Sequence, residues 1–342
     1  YISVTGVQTC ALPILKKQLD EIGPGMCLAK WTQVTLSLQV GHNHSCHHPK
    51  THAISPAEIA RNPSALHNTR YKKLRRKEML QGARPTECDY CWNVEDNSSS
   101  FSDRVFKSAE PWSEPYFDEI KGLNWRDNYN PKYVEVSFSN TCNFKCAYCS
   151  PTYSSKWMEE INQYGGYPLS YEYNGLEEME INNTKPFKHS DENPYVKAFW
   201  EWFPELYETL DTFRITGGEP LLHNLDELTR ALQTQGYQTN IETSGSSKLS
   251  GSWNWICVSP KKFKEPLPEI LPIANELKII VFNKSDFDWA EKFASQVNEN
   301  CRLYLQPEWD KSKQMLPLII DYIKQNPQWH LSLQTHKYLM IP

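Results

Sequence analysis

Short apolar runs and stretches with helical apolar spacing alternate along the C-terminal two-thirds of the chain. The runs are typical of buried strands, and they fall at residues 133–138, 212–216, 238–243, 255–259, 277–282, 303–306 and 330–334. Between them, apolar residues at helical spacing predict helices over residues 225–235, 286–297 and 314–325. Strands that alternate with helices predict an α/β fold, which we expect to be a parallel sheet or an incomplete (β/α) barrel.

The first hundred residues are less regular. Alternation over residues 31–40 predicts a strand, a His-rich turn follows it, and residues 71–81 predict a basic helix. The basic run RYKKLRRK (70–77) suits either contact with a phosphate backbone or a solvated helix face, and we favour the solvated face. We interpret residues 101–131 as a connector and residues 150–210 as helical pieces rich in Trp and Tyr.

Composition narrows the class of protein. The 342 residues are 39% hydrophobic and 23% charged, which is ordinary for a globular protein, and the net charge of −5 favours neither nucleic acid nor an anionic membrane as a partner. No apolar run approaches the roughly 20 residues that span a bilayer. We therefore expect a cytoplasmic protein without a membrane segment.

Three of the ten cysteines lie within eight residues of one another. Cys142, Cys146 and Cys149 directly follow the predicted strand at 133–138. Three thiolates at this spacing can ligate three irons of a [4Fe–4S] cluster and leave the fourth iron open. A structural zinc site needs four protein ligands, and no further Cys or His lies between residues 133 and 150. The pattern therefore favours an iron–sulfur cluster over zinc.

This triad, followed about 70 residues later by TGGEP (216–220), resembles the radical S-adenosylmethionine (SAM) superfamily. The resemblance implies that SAM binds the open iron and is cleaved to a 5′-deoxyadenosyl radical by an electron from an external donor such as flavodoxin. It also implies that the glycine segment receives the SAM amino group. The cofactor-binding residues implied in this part of the chain are Tyr148, Gly217, Gly218, Glu219 and Pro220.

A second set of cysteines precedes the triad. Cys27, Cys46, Cys88 and Cys91 supply four more thiolates, and residues 26–222 resemble radical SAM proteins with a twitch domain, which binds an auxiliary cluster. Four protein ligands suit a coordinatively closed second [4Fe–4S] cluster or a structural zinc ion, and the absence of any metal is the third alternative. Nearby histidines at 42, 44, 47, 48 and 52 are interpreted as loop residues or partners of ligands.

The C-terminal part of the chain, residues 216–342, is similar to the 7-carboxy-7-deazaguanine synthase family. The similarity lies in residues 241–246, 255–264, 275–291, 302–309 and 329–342. It implies a carbon–nitrogen lyase that converts 6-carboxy-5,6,7,8-tetrahydropterin to 7-carboxy-7-deazaguanine, in the pathway to queuosine. The implied reaction removes the C6 hydrogen, contracts the ring with Mg²⁺ and releases ammonia. Family members also tend to form homodimers.

The same similarity assigns individual residues. Those implied to bind SAM are Ser259, Pro260, Lys261 and Gln306, and those implied to contact the pterin are Thr216, Glu242, His336 and Pro342, the last through a terminal carboxylate. Two departures bear on the pocket. No QGEG-like segment precedes Cys142, and Ser150-Pro151 stands where the family has Asp-Thr, so that Thr152 or Ser150 would have to replace the missing Mg²⁺ ligand.

The chain is expected to fall into three parts. Residues 4–14 match a translated sequencing adapter, so residues 1–14 are taken as a scar, residues 15–131 as a twitch-like extension and residues 132–342 as the radical SAM core. The two resemblances meet at TGGEPLL (216–222), which we interpret as the join of a chimera. Two alternatives to the synthase remain open: a twitch-type radical SAM enzyme with another substrate, and a non-catalytic metal-binding module.

Overall fold

The computed structural model of the chain describes residues 6–142, 150–166, 175–188, 192–262 and 264–333. It divides into two compact units, unit 1 (Tyr1–Gly218) and unit 2 (Glu219–Pro342). Within the described residues, each unit contains one five-stranded sheet, here called sheet 1 and sheet 2. The division falls between Gly218 and Glu219, inside the TGGEPLL segment where the two sequence resemblances meet.

Unit 1 begins with helices and small strands and ends with a parallel part of sheet 1. Its described helices are α1 (Gly6–Ile22), α2 (Ala29–Thr32), α3 (Pro56–Arg61), α4 (Arg70–Leu80), α5 (Asp89–Asn97), α6 (Asp103–Ser108), α7 (Phe117–Lys121), α8 (Ser155–Tyr164), α9 (Leu176–Ile181) and α10 (Pro194–Leu206). Its described strands are β1 (Gln33–Ser37), β2 (His42–His44), β3 (His52–Ala53), β4 (Tyr133–Ser137) and β5 (Thr212–Ile215).

Sheet 1 has the strand order β3-β2-β1-β4-β5. Strands β1, β4 and β5 are parallel, while β2 and β3 continue the sheet antiparallel to β1. One face is apolar, because Val34 and Leu36 of β1 lie beside Val134 and Val136 of β4, all four fully buried. Helix α10 packs on the sheet, where the rings of Phe199 and Phe213 stack 6.1 Å apart.

The sequence of α10 explains its position. The side chain of Asn193 accepts hydrogen bonds from the backbone N–H groups of residues 195 and 196, which caps the helix. Phe199, Trp202, Phe203 and Leu206 are buried and follow the i, i+3, i+4, i+7 spacing of one helix face. This stripe anchors the helix by burial of apolar area.

The basic helix predicted over residues 71–81 is α4, capped at its start by the Thr69 side chain. The prediction of a solvated helix face was wrong for Lys72 and Arg76, which are buried. Arg76 donates to Asn68 Oδ1 at 2.8 Å. His67 Nε2 donates to the carbonyl oxygen of Trp31 at 2.8 Å, and Lys72 Nζ lies 2.8 Å from His67 Nδ1. Burial lowers the pKa of His67 well below its usual value, and the two neighbouring cations add to this effect. A neutral imidazole can therefore accept from Lys72.

Unit 2 is an α/β unit whose sheet has the order β10-β9-β8-β7-β6. All four strand pairs are parallel, so the carboxyl ends of the strands share one edge. Its core includes Val258, Leu277 and Leu305, each fully buried. The described elements are β6 (Asn240–Thr243), β7 (Trp255–Val258), β8 (Glu276–Val281), β9 (Arg302–Pro307), β10 (Trp329–Leu331), α11 (Asp226–Thr234), α12 (Asp286–Ala294) and α13 (Ser312–Gln325).

The predicted α/β class with parallel sheets is confirmed, and every strand and helix predicted in unit 2 is present. The strand predicted over residues 31–40 is shorter, since Trp31 and Thr32 belong to α2 and the strand begins at Gln33. The barrel and the domain boundaries at residues 14 and 131 stay predictions. Helix α1 includes residues 6–14 of the segment assigned to the adapter, and Leu12 is buried. None of the described helices is long and apolar enough to cross a membrane.

Candidate functional site

The first cysteine of the triad lies in unit 1, in the loop that follows β4. Cys142 is buried, and its backbone is fixed from both sides by Ser155, whose Oγ accepts from the Cys142 N–H at 3.1 Å and donates to its C=O at 2.8 Å. Ser155 is the first residue of α8. The start of this helix therefore holds the first cysteine in place. Cys146, Tyr148 and Cys149 lie outside the described residues.

Gly217 and Gly218 follow β5 and lie against the same loop. Both have positive φ, +76° and +67°, a conformation that other residues rarely adopt. A Cβ on Gly217 would lie 2.5 Å from Ser137 Oγ, and a Cβ on Gly218 would lie 2.6 Å from the carbonyl oxygen of Thr141. Only glycine permits this approach, which places the segment beside the residue before Cys142. Thr216, half-buried, donates its N–H to Val136 O at 2.8 Å.

The next residue of the motif, Glu219, belongs to unit 2, where its carboxylate is buried and fully engaged. Ser244 donates to it through its backbone N–H at 2.9 Å and through its hydroxyl, and Thr243 donates through its own hydroxyl. The N–H of Leu221 is a further donor at 3.3 Å. The carboxylate therefore ties Glu219 to the carboxyl end of β6. Pro220 begins the short 3₁₀ turn that follows.

The Ser-Pro-Lys segment stands where β7 ends. Ser259 and Pro260 are buried, and Ser259 donates its N–H to Thr243 O at 2.8 Å. Lys261 is half-buried, and its Nζ donates to Ser259 Oγ at 3.2 Å. These contacts place the segment next to the residues that hold Glu219.

Gln306 lies near the carboxyl end of β9 and is buried, with its Oε1 accepting from Ser332 Oγ at 3.0 Å. Unit 2 thus brings Glu219, Ser259 and Gln306 to one edge of sheet 2. The carboxylate of Glu242, which was assigned to the pterin, instead forms an ion pair of 2.6 Å with Lys278 of β8. Burial acts to lower the pKa of Lys278, but Glu242 outweighs it and raises the pKa. His336 and Pro342 lie outside the described residues.

Thr243 and Ser244 were missed as site residues by sequence reasoning. They hold Glu219, and the Ser244 Oγ, whose proton goes to Glu219, lies 2.9 Å from Ser246 Oγ, where it accepts. Their signal is a run of small residues at the end of β6, Thr243-Ser244-Gly245-Ser246, three of which carry hydroxyl groups. Such a run has no periodic pattern that sequence analysis could detect. That these residues hold Glu219 is visible only once the structure places its carboxylate beside them.

The four cysteines predicted to form a second site line one cavity in unit 1. It contains about 400 Å³ of empty space, counting its open mouth. The thiols come from three separate segments: Cys27 precedes α2, Cys46 follows β2, and Cys88 and Cys91 lie at the start of α5. All four are free of disulfides. The fold therefore brings together the residues that the sequence grouped only by type.

Burial is the main influence on these thiols. It raises the pKa of Cys46 and of Cys88 to about 11, and charge on the neighbouring cysteines contributes in the same direction. The pKa of Cys27 is raised by burial and then by Cys88. Among the described residues, no three Cys, His, Asp or Glu side chains converge closely enough to hold a single metal ion.

Charged groups surround the same cavity. Lys30 is buried and forms an ion pair with Glu87, and Arg104 donates to Glu95 and to Asp20 at 2.8 and 2.9 Å. Burial acts to lower the pKa of Lys30, but the Cys88 thiolate and Glu87 outweigh it, so the pKa lies above its usual value. Of the five histidines, His48 lines the cavity and binds Asp103 at 2.8 Å.

No protein-family model matches the chain. Curated relatives named 7-carboxy-7-deazaguanine synthase do match. The protein of Flavobacterium psychrophilum is 51% identical over 131 residues, which cover 38% of this chain and 62% of the relative. The protein of Synechocystis is 50% identical over 125 residues, covering 36% of this chain and 60% of the relative. The chain therefore spans a little over half the length of these two relatives.

A third relative of the same name, from Buchnera aphidicola, matches over a longer stretch. It is 30% identical over 203 residues, which cover 58% of this chain and 86% of the relative. Among solved structures, the crystal structure of QueE from Escherichia coli covers 40% of this chain and 62% of that chain, with 30% sequence identity and a TM-score of 0.34.

Proposed function

The chain belongs to the 7-carboxy-7-deazaguanine synthase family, and we propose that it converts 6-carboxy-5,6,7,8-tetrahydropterin to 7-carboxy-7-deazaguanine. The observation that carries this proposal is the 51% identity with the Flavobacterium psychrophilum relative over 131 residues. The geometry of unit 2 supports it, because the residues assigned from the family lie at the carboxyl ends of parallel strands, where α/β enzymes bind their ligands.

We propose that Cys142, Cys146 and Cys149 hold a [4Fe–4S] cluster that binds SAM. When bound, the cluster and SAM supply a carbon-centred radical that removes the C6 hydrogen of the pterin. The donor set fits, since three thiolates leave one iron open. Gly217 and Gly218 present backbone polar groups without side chains beside the loop of Cys142. Ser259, Pro260, Lys261 and Gln306 are proposed to hold the rest of SAM.

Thr216, Glu242, His336 and Pro342 are proposed to contact the pterin. Thr216 follows β5 and directly precedes the two glycines, which suits a group that touches both cofactor and pterin. Glu242 would need to exchange its ion pair with Lys278 for a pterin N–H. His336 and the terminal carboxylate of Pro342 complete the proposed pocket. Mg²⁺ is proposed to bind Thr152 or Ser150, because the side chain of Pro151 has no oxygen. A flavodoxin-like electron donor and a homodimer belong to the same proposal.

A second function is favoured by one observation, the convergence of four cysteines on a single cavity. We propose that unit 1 binds a metal there, as the twitch resemblance implies. A pterin enzyme does not need this site, so it supports either an additional electron-transfer or structural role or a different substrate for the radical chemistry. A metal-binding unit without catalysis is the remaining alternative.

We also propose that the chain joins two radical SAM sequences at TGGEPLL and that residues 4–14 derive from a sequencing adapter. The division of the compact units between Gly218 and Glu219 supports the join. Amplification across residues 1–30 and 205–235 from source DNA tests both points. A product for residues 1–30 that lacks the adapter codons would show that the adapter is an assembly error. Failure to obtain a product for residues 205–235 would show the same for the join.

An anaerobic assay tests the synthase proposal. The reconstituted protein is incubated with SAM, dithionite, Mg²⁺ and 6-carboxytetrahydropterin, and both 5′-deoxyadenosine and 7-carboxy-7-deazaguanine are measured. We expect both products, and loss of both in Cys142→Ala. Cys257→Ala is the matched control, since Cys257 is a buried cysteine outside both cysteine groups. Formation of 5′-deoxyadenosine without the deazaguanine would contradict the substrate and favour the twitch-type alternative.

A further inference from the structure

Gln39 lies just beyond β1, at the carboxyl end of that strand in sheet 1. Its backbone is fixed, because the Phe187 N–H donates to the Gln39 carbonyl oxygen at 2.9 Å, and the preceding residue, Leu38, donates to Ser137 O at 2.9 Å. The side chain is buried, with 1% of the residue exposed. Yet neither its amide nitrogen nor its amide oxygen has a hydrogen-bond partner in the described part of the chain. The fold therefore holds a carboxamide out of water with both polar atoms unpaired.

An unpaired buried carboxamide is unfavourable, because its N–H and C=O groups lose water and gain no protein partner. Buried polar groups are nearly always paired, so such an exception is expected where a ligand or an ordered water completes the bonds. Gln33 offers a comparison on the same strand, since it is also buried and its amide oxygen is also unpaired among the described residues. It lies at the amino end of β1, however, whereas Gln39 lies at the end where α/β enzymes bind their ligands.

Polar side chains connect this end of β1 with the two glycines that follow β5. Ser37, the last residue of β1, pairs in register with Ser137, the last residue of β4. The Ser137 Oγ is buried and unpaired among the described residues, and a Cβ on Gly217 would lie 2.5 Å from it. Tyr153 spans the same strand ends, because its hydroxyl lies 3.5 Å from Ser37 Oγ and its Cδ1 would lie 3.3 Å from that Cβ. Together with Gln39, these three side chains form what we call the polar strip, which ends beside Gly217.

The chemistry of the polar strip indicates what it could bind. Tyr153 is 38% exposed, so the strip is open to solvent there, and its ring offers a flat surface on which a planar heterocycle can stack. The carboxamide of Gln39 presents one donor and one acceptor side by side. This pair matches an N–H next to a C=O, the edge of a cyclic amide (lactam), in the same bidentate way in which glutamine pairs with the edge of a nucleobase. None of the side chains in the strip is charged, which favours a neutral group over an ion.

We propose that Gln39 is a substrate-binding residue whose carboxamide pairs with the lactam edge of the pterin, N3–H and C4=O. The inference rests on the proposed synthase function and adds to it a recognition residue from outside residues 216–342, the part of the chain that is similar to the synthase family. The amide oxygen of Gln39 accepts from N3–H, its amide N–H donates to C4=O, and the ring stacks on Tyr153. Gln39 takes no part in bond making or breaking. It sets the affinity for the ring and its orientation.

Binding of an unreactive pterin tests this assignment. The full chain, reconstituted anaerobically and supplied with SAM, is titrated with pterin-6-carboxylic acid and with its N3-methyl derivative, and the fluorescence of the pterin reports binding. The unchanged protein should bind the N3-methyl derivative about tenfold more weakly or worse, because this ligand has lost the N3–H donor. Gln39→Met, a change that nearly conserves volume, should weaken binding of pterin-6-carboxylic acid to a similar extent. It should also remove the difference between the two ligands, since the partner of N3–H is gone.

Two further readouts distinguish substrate binding from a structural role. Gln39→Met should leave the free energy of unfolding unchanged or raise it, because the variant removes an unpaired buried amide. It should also form 5′-deoxyadenosine from SAM in the absence of pterin at the rate of the unchanged protein. Gln33→Met is the matched control, with the same exchange at a buried position of the same strand, and should bind both ligands as the unchanged protein does.

The outcomes separate this inference from the proposed function. Undiminished affinity of Gln39→Met for pterin-6-carboxylic acid would overturn the role of Gln39, with an ordered water as the partner of its amide, and would leave the pterin as the substrate. If the unchanged protein cleaved SAM but bound no pterin, the proposed substrate would fail and the inference with it. A clear loss of stability in Gln39→Met would show that the amide is paired within the fold. Equal binding of the two ligands by the unchanged protein would overturn the inference without any variant.

Discussion

In unit 2, the centre of the fold is occupied by Val258, Leu277 and Leu305, and none of them has exposed surface. At the same depth in unit 1 lie Lys72, Arg76 and Arg104, held by side-chain and carbonyl oxygens and by His67. An apolar core gains free energy from burial itself, whereas buried cations are stable only while each of them keeps its partners. Unit 2 should therefore tolerate changes that unit 1 does not.

Removal of metal should give the largest difference between the units. Metal that binds only the folded state contributes its binding free energy to stability, which for structural zinc is on the order of 10 kcal/mol. We expect a chelator under reducing conditions to abolish hydrogen-exchange protection in α5 and α6 while β7, β8 and β9 keep theirs. Equal loss of protection in both units would contradict the contrast.

Loss of Arg104 should come next. Arg104→Met leaves the buried Glu95 without its main partner, which costs about 3–5 kcal/mol. Unfolding in urea, followed by hydrogen exchange of the α5 and α6 amides, measures this cost. Lys107→Met is the control, since Lys107 lines the same cavity but has only a 3.8 Å contact with Glu110. A cost below that of the control would show that Arg104 is not a structural centre of unit 1.

The same ion pair predicts how acid affects unit 1. Burial acts to raise the pKa of Glu95, but hydrogen bonds from Arg104 and Ser102 outweigh it and lower the pKa. A carboxyl with a depressed folded-state pKa contributes stability that is present above its unfolded pKa of about 4.3 and is lost as pH falls through the folded value. Unit 1 should thus lose stability below about pH 4.3, and Arg104→Met should reduce this dependence. If Arg104→Met lost stability at low pH to the same extent as the unchanged protein, this role of Glu95 would be disproved.

A cavity in the core of unit 2 should have a smaller and strictly local effect. Leu305→Ala should cost about 2–5 kcal/mol, because it removes a fully buried side chain from the core of sheet 2. Ile320→Ala, at a partly exposed position of α13, is a milder control. The iron content of unit 1 should not change in either variant. Loss of iron in Leu305→Ala would show that the two units do not behave separately.

The last prediction concerns Gly218. Gly218→Ala forces a non-glycine residue into positive φ, at a cost of roughly 1–2 kcal/mol, and the clash of its Cβ with the backbone oxygen of Thr141 adds to this cost. Because this contact lies beside the loop of Cys142, we expect SAM cleavage to fall far more than stability does. Gly236→Ala is the control, since Gly236 also has positive φ but an added Cβ there meets no atom within 4 Å. Equal loss of SAM cleavage in both variants would contradict a special role of Gly218.

These contrasts also explain what could be predicted from sequence. Strands β7 and β8 were predicted because each is a compact run of apolar residues, and sheet 2 places such runs side by side. The four-cysteine cavity could be anticipated because cysteines are few and their thiols are common metal ligands. The burial of Lys72 and Arg76 could not, since their partners, His67 and the Lys30 carbonyl, are brought to them only by tertiary packing. The same holds for Thr243 and Ser244, whose role depends on a carboxylate 24 and 25 residues away.

Transfer of the C6 hydrogen tests the proposed chemistry most directly. The reconstituted protein is given SAM, dithionite, Mg²⁺ and 6-carboxytetrahydropterin that carries deuterium at C6, and the 5′-deoxyadenosine is analysed by mass spectrometry. We expect one deuterium in 5′-deoxyadenosine and formation of 7-carboxy-7-deazaguanine in the same sample. Unlabelled 5′-deoxyadenosine without the deazaguanine would contradict the assignment of this chain as a functional 7-carboxy-7-deazaguanine synthase.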